Sequence, residues 1–218
     1  MATTTTQDGL AAPGSGLGGW GAMVAGTTVG GVLLGVLTNL AQGRLPGAWN
    51  QLANSGAVWS AVAFAAGALL AVGSGSIRRS AVGGLCAEAG LVVGYYGYAE
   101  AGRDGMGSLF FPLVWLGMAC VAGPLFGVAA YWWRRGEDVR RRVVGLAAFA
   151  GLFGMEGTMA ARDLHYASQA WSCFAVSALV PLLLARTHRE RALTLATAVP
   201  CALLAYALVE LPLRAVSA

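Results

Sequence analysis

Long apolar stretches separated by short polar loops make up most of the chain. An α-helix needs about 20 mainly apolar residues to cross ~30 Å of hydrocarbon, so each such stretch predicts a membrane-spanning helix. The sequence contains seven of them, at residues 20–41, 56–73, 81–101, 108–133, 143–161, 168–185 and 192–211. The pattern therefore predicts an all-α, polytopic membrane helix bundle with seven transmembrane helices.

The seven stretches are joined by loops too short to hold a soluble domain. We therefore expect residues 20–213 to form a single transmembrane domain. Residues 1–19 are rich in Thr, Gly, Ala and Pro and have no basic segment ahead of an apolar one, which predicts a flexible N-terminal tail rather than a signal peptide. Residues 214–218 form a short C-terminal tail.

The composition agrees with a membrane protein. Hydrophobic residues make up 57% of the chain and charged residues 11%, whereas a soluble domain has roughly 25% charged residues. The net charge of +4 comes from arginines scattered among short loops, a distribution that sets membrane topology and predicts no nucleic-acid partner. All 14 basic residues are arginines, which excludes a retinal or pyridoxal Schiff base and a Walker lysine.

The arginines predict the orientation. Ten of them lie in the loops that follow the second, fourth and sixth stretches, and four lie on the opposite side, at positions 44, 103, 162 and 214. Because cytoplasmic loops carry the excess of basic residues, we expect the N-terminus to be cytoplasmic and the C-terminus to lie outside.

Glycine pairs at four-residue spacing predict closely packed helices. Such pairs let two helix backbones approach inside a membrane bundle. They occur at Gly26-x-x-x-Gly30, Gly31-x-x-x-Gly35, Gly90-x-x-x-Gly94 and Gly123-x-x-x-Gly127. Tight packing leaves the large side chains to define any cavity.

The sequence gives little sign of a metal or cofactor site. The four cysteines lie in four different apolar stretches, with no C-x-x-C pair, and both histidines, His165 and His188, lie in loops. Free buried thiols acting as small apolar side chains are typical of such a pattern. We therefore predict no metal and no cofactor.

Carboxyl groups inside the apolar stretches are the candidate catalytic residues. Glu156 lies in the apolar run from Val143 to Ala161, and an ionisable group held in lipid is costly and marks a functional site. Glu88 is similarly placed and, with Glu210, is the next candidate. Glu100 lies one turn from Arg103, which is typical of a solvated helix end. Glu210 also fits an interfacial position.

Aromatic residues share helix faces with these acids. Glu88 precedes Tyr95 and Tyr96 by two turns, Glu156 shares a face with Phe149 and Phe153, and Glu210 shares one with Tyr206. We predict that Trp59, Tyr95, Tyr96, Trp115 and Trp171 converge on one cavity in the outer half of the membrane. The full set of candidate substrate-binding residues is Trp59, Tyr95, Tyr96, Trp115, Trp171, Phe149, Phe153, Asn54 and Tyr206.

This combination suits carbocation chemistry. A carboxyl in a low dielectric without a cation beside it tends to stay protonated and can act as a general acid. Aromatic faces stabilise a cation by up to ~2 kcal/mol each when desolvated. Together they suit the protonation of an alkene or epoxide and the guidance of the resulting cation. The alternative, a proton or cation path, needs polar residues across the membrane, and the inner half has few.

In span number, in length, and in lone acids Glu88 and Glu156 accompanied by Tyr95, Tyr96, Trp115 and Trp171, the chain resembles small actinobacterial integral membrane proteins. These include the membrane-bound terpene cyclases of indole sesquiterpenoid (drimentine-type) pathways, which are similar in kind to the seven-span fungal meroterpenoid cyclases. The resemblance implies a bacterial plasma-membrane enzyme, a hydrophobic prenylated substrate surrounded by membrane lipid, and cyclisation started by a protonating acid without a metal or loss of diphosphate.

Consistent with that chemistry, the sequence has no D-D-x-x-D and no D-x-D-D motif. Two other classes stay open on the sequence alone. One is a small proton-coupled permease or channel, and the other is a non-catalytic membrane subunit.

Overall fold

A computed structural model describes residues 17–72, 75–103 and 105–210, with Leu17, Gly18, Ala48 and Glu210 described by their backbone only. These parts of the chain contain helices and loops and no strand, which confirms the all-α prediction. The predicted tails fall largely at residues 1–16 and 211–218, which lie outside the described residues. The helices are α1 Leu17–Gln42, α2 Ala48–Ala53, α3 Gly56–Leu70, α4 Ile77–Gly102, α5 Phe110–Arg135, α6 Val139–Arg162, α7 Ala167–Leu184 and α8 His188–Ala205, followed by a π-helical turn at Tyr206–Glu210.

Five helices of the described chain, α1, α5, α6, α7 and α8, are long and apolar enough to cross a membrane. Helix α3 is apolar but has 15 residues, which extend only about 22 Å. Helix α4 has 26 residues, but glycines, tyrosines and Glu88 replace some of its apolar side chains. The chain is therefore an all-α membrane protein in which α3 and α4 differ from ordinary spans.

Helices α3 and α4 each pack against several other helices of the bundle. Helix α4 packs against α1, α3 and α5, and α6 packs against α5, α7 and α8. Helix α3 contacts α4, α5 and α6 and so connects the two groups, while the short α2 packs against α1 and α7. Polar groups on α3 and α4 can therefore be buried in protein rather than exposed to lipid.

The glycine pairs of α1 and α4 pack against each other. A Cβ atom at Gly35 would overlap the carbonyl oxygen of Leu91, and Gly31, Gly90 and Gly94 face the partner backbone in the same way. The close approach predicted from these two pairs is confirmed: without side chains at the glycines, the backbones of α1 and α4 come into contact.

A second close approach joins α3 to α5. A Cβ atom at Gly67 would lie 2.6 Å from the Cα atom of Gly127, which belongs to the predicted Gly123-x-x-x-Gly127 pair. The pair formed by Gly26 and Gly30 behaves differently, because within the described chain no atom beyond the helix's own nearby backbone lies within 4 Å of a Cβ built at either position. Interhelical packing was the wrong prediction for that pair.

Gly35→Ala should destabilise the protein far more than Gly30→Ala, although both add one methyl group to α1. The Gly35 methyl group overlaps a backbone carbonyl that cannot rotate away, so we expect a loss at or above the ~1–3 kcal/mol typical of overpacking. The Gly30 methyl group meets open space and improves helix propensity. Thermal unfolding of the two purified variants in detergent measures the difference. Equal midpoints would contradict the observed α1–α4 contact.

Candidate functional site

The first turn of α3 begins inside the protein. Asn54 and Ser55 separate α2 from α3, and the buried Ser55 hydroxyl accepts a hydrogen bond from the backbone N–H of Val58 at 3.2 Å. A helix N-terminus has N–H groups without partners in the helix, and inside a membrane they need acceptors from the protein. Ser55 supplies one of these acceptors.

Glu156 supplies another acceptor from α6. Its side chain is 4% exposed, and Oε2 accepts a hydrogen bond from the backbone N–H of Ala57 at 2.8 Å. Its Oε1 atom accepts from Nε2 of Gln169, at the start of α7, at 3.4 Å. Glu156 thus connects α6 to the starts of α3 and α7, where the helix dipole of α3 also interacts favourably with a carboxylate.

Among the described residues Glu156 forms no ion pair, as its helix face predicts, but two neutral hydrogen-bond donors compensate a negative charge on it. The compensating groups come from Ala57 and Gln169, which are distant along the chain or on another helix, and a pattern of neighbouring residues does not reveal them. Both carboxyl oxygens accept hydrogen bonds, so Glu156 is better suited to fixing the start of α3 than to donating a proton. Its proposed catalytic role stays a prediction.

Glu88 has a different environment. This α4 side chain is 5% exposed, and Oε1 accepts a hydrogen bond from the hydroxyl of Ser60 on α3 at 3.0 Å. Its Oε2 atom is buried and has no hydrogen-bond partner among the residues that the structure describes. Since Ser60 follows Ala57 by one turn, Glu88 and Glu156 contact the beginning of α3 from two different helices.

Four aromatic rings pack together on α3, α4 and α5, and we call them the Trp59 cluster. The ring centroids of Trp59 and Tyr95 are 5.1 Å apart, those of Trp59 and Trp115 are 5.2 Å apart, and those of Tyr95 and Tyr96 are 5.1 Å apart. Trp59 is adjacent in sequence to Ser60, the partner of Glu88. The structure thus brings together four of the five rings expected to converge.

Hydrogen bonds fix the polar ends of the two most buried rings. Nε1 of Trp59 donates to the carbonyl oxygen of Ala53 at 3.2 Å, and the hydroxyl of Tyr95 donates to Oε1 of Gln42 on α1. The side chain of Asn39, also on α1, donates to the carbonyl oxygen of Tyr95 at 3.0 Å. The hydrogen bonds at the indole N–H and the phenol O–H therefore fix the orientation of both rings, whose faces pack against the other rings of the cluster.

The remaining candidate residues lie elsewhere. Trp171 is 74% exposed and contacts Phe174, so its expected convergence with the other rings is wrong, because the outer face of α7 carries it. Asn54 is exposed, and half-buried Tyr206 donates a hydrogen bond to Asp163 at 3.4 Å. The side chain of Glu210 lies outside the described residues.

Phe149 and Phe153 belong to a second group of rings, the Phe149 cluster, with Phe64 and Phe126. Phe64 stacks on Phe149 with centroids 4.3 Å apart, and Phe153 contacts Phe149 at 5.4 Å. This cluster belongs to the core shared by α3, α5, α6, α7 and α8, whereas Trp59 and Tyr95 belong to a separate core group. The two phenylalanines therefore do not line one cavity with the Trp59 cluster.

The Trp59 cluster is closed by its own rings. Two pockets, of about 440 and 500 Å³, lie between α5 and α6, and no residue of the cluster lines either of them. The rings of the cluster pack against one another with centroids 5.1 to 5.2 Å apart, so a ligand between them needs the half-buried rings of Tyr96 and Trp115 to move.

Several residues of the site carry no recognisable sequence signal. Ser60, Gln169, Asn39 and Gln42 are uncharged, and nothing in their spacing separates them from ordinary polar residues of helices. The one feature that could have indicated them is an amide or hydroxyl side chain inside a mainly apolar stretch. Across the described ranges, no group of three or more His, Cys, Asp or Glu side chains is placed to hold a metal ion.

The fold and the buried carboxyls of Glu88 and Glu156 define an all-α membrane protein with a polar site at the start of a central helix. The chain belongs to a family of unknown function, DUF6518, whose model matches residues 16–215. No curated protein and no solved structure matches the chain.

Proposed function

We propose that this protein is a membrane-embedded terpene cyclase in which Glu88 protonates an alkene or epoxide of a hydrophobic prenylated substrate. The observation that carries the proposal is the buried Oε2 atom of Glu88, which has no partner in the described chain while Oε1 is held by Ser60. Oε2 is the only one of the four carboxyl oxygens of Glu88 and Glu156 without such a partner.

The proposed step needs neither metal nor cofactor. A proton on Oε2 of Glu88 is taken by the π electrons of the substrate, which forms a C–H bond and leaves a carbocation. The Ser60 hydroxyl stabilises the carboxylate that remains. A second alkene of the substrate attacks the cation to close a ring, and loss of a proton from a neighbouring carbon ends the reaction and allows Glu88 to be reprotonated.

The Trp59 cluster supports the second half of this chemistry. An aromatic face attracts a cation by up to ~2 kcal/mol when the pair is desolvated. Trp59 and Tyr95 are held at their rims by Ala53 and Gln42, so their faces are fixed relative to Glu88. Glu156 contributes indirectly, because it holds the first turn of α3, which carries Trp59.

Incubation of the purified protein with polyprenyl substrates, followed by lipid extraction and mass spectrometry, tests the proposal. We expect a product of unchanged mass and altered retention from an alkene substrate. Glu100→Gln, a change of an exposed acid on the same helix, serves as the matched control for Glu88→Gln. Conversion that is absent from the wild-type protein, or equal in the Glu88→Gln variant, would overturn the proposal.

A proton-coupled permease is the second candidate, and a specific observation favours it. Besides Oε2 of Glu88, the described chain has buried side-chain atoms without partners at Asn39, Asn50, Gln169, Arg191 and Thr194. Such atoms commonly bind internal water, and water is what a proton path needs. Proton uptake by proteoliposomes that depends on Glu88, in the absence of cyclised product, would favour this candidate.

We further propose seven spans with a cytoplasmic N-terminus, with α2 and α3 together forming a broken second span. Four proposed spans precede the loop at residues 136–138, namely α1, the broken α2–α3 span, α4 and α5, so this loop lies on the same side as the N-terminus in a seven-span arrangement. Reporter fusions at Met1 and Glu137 should both report the cytoplasm, and one at His165 the exterior. Different compartments for Met1 and Glu137 would exclude the arrangement.

A further inference from the structure

The loop between α5 and α6 forms a polar pocket at the arginine-rich end of the bundle. The pocket has a volume of about 440 Å³, and its walls include Trp132, Arg135, Arg141 and the two acids Glu137 and Asp138. A volume of this size suits a small ligand or the headgroup of a lipid. Neither Trp59 nor Glu88 contributes to it, so it is separate from the site proposed for cyclisation.

The charged walls of this pocket do not neutralise one another. Arg141 and Glu137 form no ion pair with any residue of the described chain. Arg135 is oriented by a hydrogen bond of 2.8 Å from Nε to the carbonyl oxygen of Ala71. The pocket therefore presents two guanidinium groups beside the carboxylates of Glu137 and Asp138, of which Asp138 already accepts the backbone N–H of Arg140 at 3.0 Å. This arrangement complements a ligand that carries a phosphate and an ammonium group.

An apolar groove continues from the pocket. Its volume is about 500 Å³, it runs between α5 and α6, and it shares Trp132 with the pocket. Small residues, Ala129, Gly145 and Ala148, are among those that line the groove. From Pro124 to Trp132 it extends roughly 12 Å along α5, most of the ~15 Å that one leaflet contributes to the hydrocarbon core.

We propose that the pocket and groove together bind one glycerophospholipid with a phosphoethanolamine headgroup. Arg135 and Arg141 bind the phosphodiester, and Glu137 binds the ammonium group. One acyl chain lies in the apolar groove, and Trp132 packs between headgroup and chain, as tryptophans do at membrane interfaces. The combination of charges favours a zwitterionic lipid, because Glu137 repels a headgroup that carries only negative charge.

Native mass spectrometry of the delipidated full-length protein with added lipids tests this site. Phosphatidylethanolamine, phosphatidylglycerol and phosphatidylcholine with identical acyl chains are the probes. We expect one molecule of phosphatidylethanolamine to be retained, in preference to the other two lipids. Arg141→Gln should weaken its binding about tenfold or more, because a charge-assisted hydrogen bond to the phosphate is lost.

Two further variants separate the parts of the site. Arg140→Gln, the matched control, removes the same charge from the same loop end without touching the pocket, and it should leave the affinity unchanged. Glu137→Gln should abolish the preference for phosphatidylethanolamine over phosphatidylglycerol. Tighter binding of phosphatidylglycerol to the wild-type protein, or equal weakening by Arg140→Gln and Arg141→Gln, would overturn the proposal.

Discussion

Glu88→Gln should abolish cyclisation while the protein still folds. The amide keeps the shape of the side chain, and its oxygen can still accept the hydrogen bond from Ser60. It lacks the acidic proton, however, and general acid catalysis commonly contributes 10²–10⁴-fold to a rate. Alkenes are weak bases, so we expect the loss of turnover at or beyond the upper end of that range. Single-turnover assays of purified protein measure it.

Glu156→Gln provides the comparison. An amide at this position still accepts the N–H of Ala57 but loses the charge, so we expect lower stability and a smaller loss of activity. If the Glu156→Gln variant retains more than about a tenth of wild-type activity, a loss far below the range for an acid catalyst, Glu156 is not the proton donor. An inactive Glu156→Gln variant beside an active Glu88→Gln variant would return that role to α6.

Loss of the ion pair between Arg142 and Glu190 should produce the largest fall in stability. Glu190 is buried near the start of α8, Nε of Arg142 donates to its Oε1 atom at 3.0 Å, and the backbone N–H of Arg186 donates to Oε2 at 2.9 Å. Arg142 also donates to the carbonyl oxygen of Gly136 at 2.8 Å. Arg142→Gln removes the cation in contact with the buried carboxylate and leaves it only the attraction of Arg186, so we expect a loss toward the lower end of the about 3–5 kcal/mol typical of a broken buried pair.

Arg140→Gln is the matched control for this effect. Arg140 lies two residues earlier on α6, and its side chain is exposed, so its loss should change stability by less than about 0.5 kcal/mol. Thermal unfolding of both variants in the same detergent measures the difference. Similar unfolding midpoints for the two variants would show that the contact between Arg142 and Glu190 contributes little to holding α6 and α8 together.

The helices were predictable because their signal is local. Each apolar stretch is a property of about 20 consecutive residues, and the predicted stretch 143–161, for example, lies within α6, Val139–Arg162. Helix α2 was missed because its six residues are too short to produce such a signal. The shortness of α3 was also missed, since the predicted stretch 56–73 continues three residues beyond Leu70.

The candidate site was predictable only where its residues share one helix. Glu88 and Tyr95 are two turns apart on α4, and their common face follows from that spacing. The contact between Glu156 and Ala57 joins residues 99 positions apart, and it depends on how α6 packs beside α3. Glu190 was overlooked because Arg189 and Arg191 flank it, a pattern typical of a solvated loop.

Cyclisation in deuterated water tests most directly whether this protein protonates an alkene. The acidic hydrogen of Glu88 exchanges with solvent, so each turnover should transfer one deuteron to a carbon atom of the product. We predict a cyclised product one mass unit heavier than the product made in ordinary water, and no such product from the Glu88→Gln variant. A cyclised product without carbon-bound deuterium, or no cyclised product from any prenyl alkene, would contradict this mechanism.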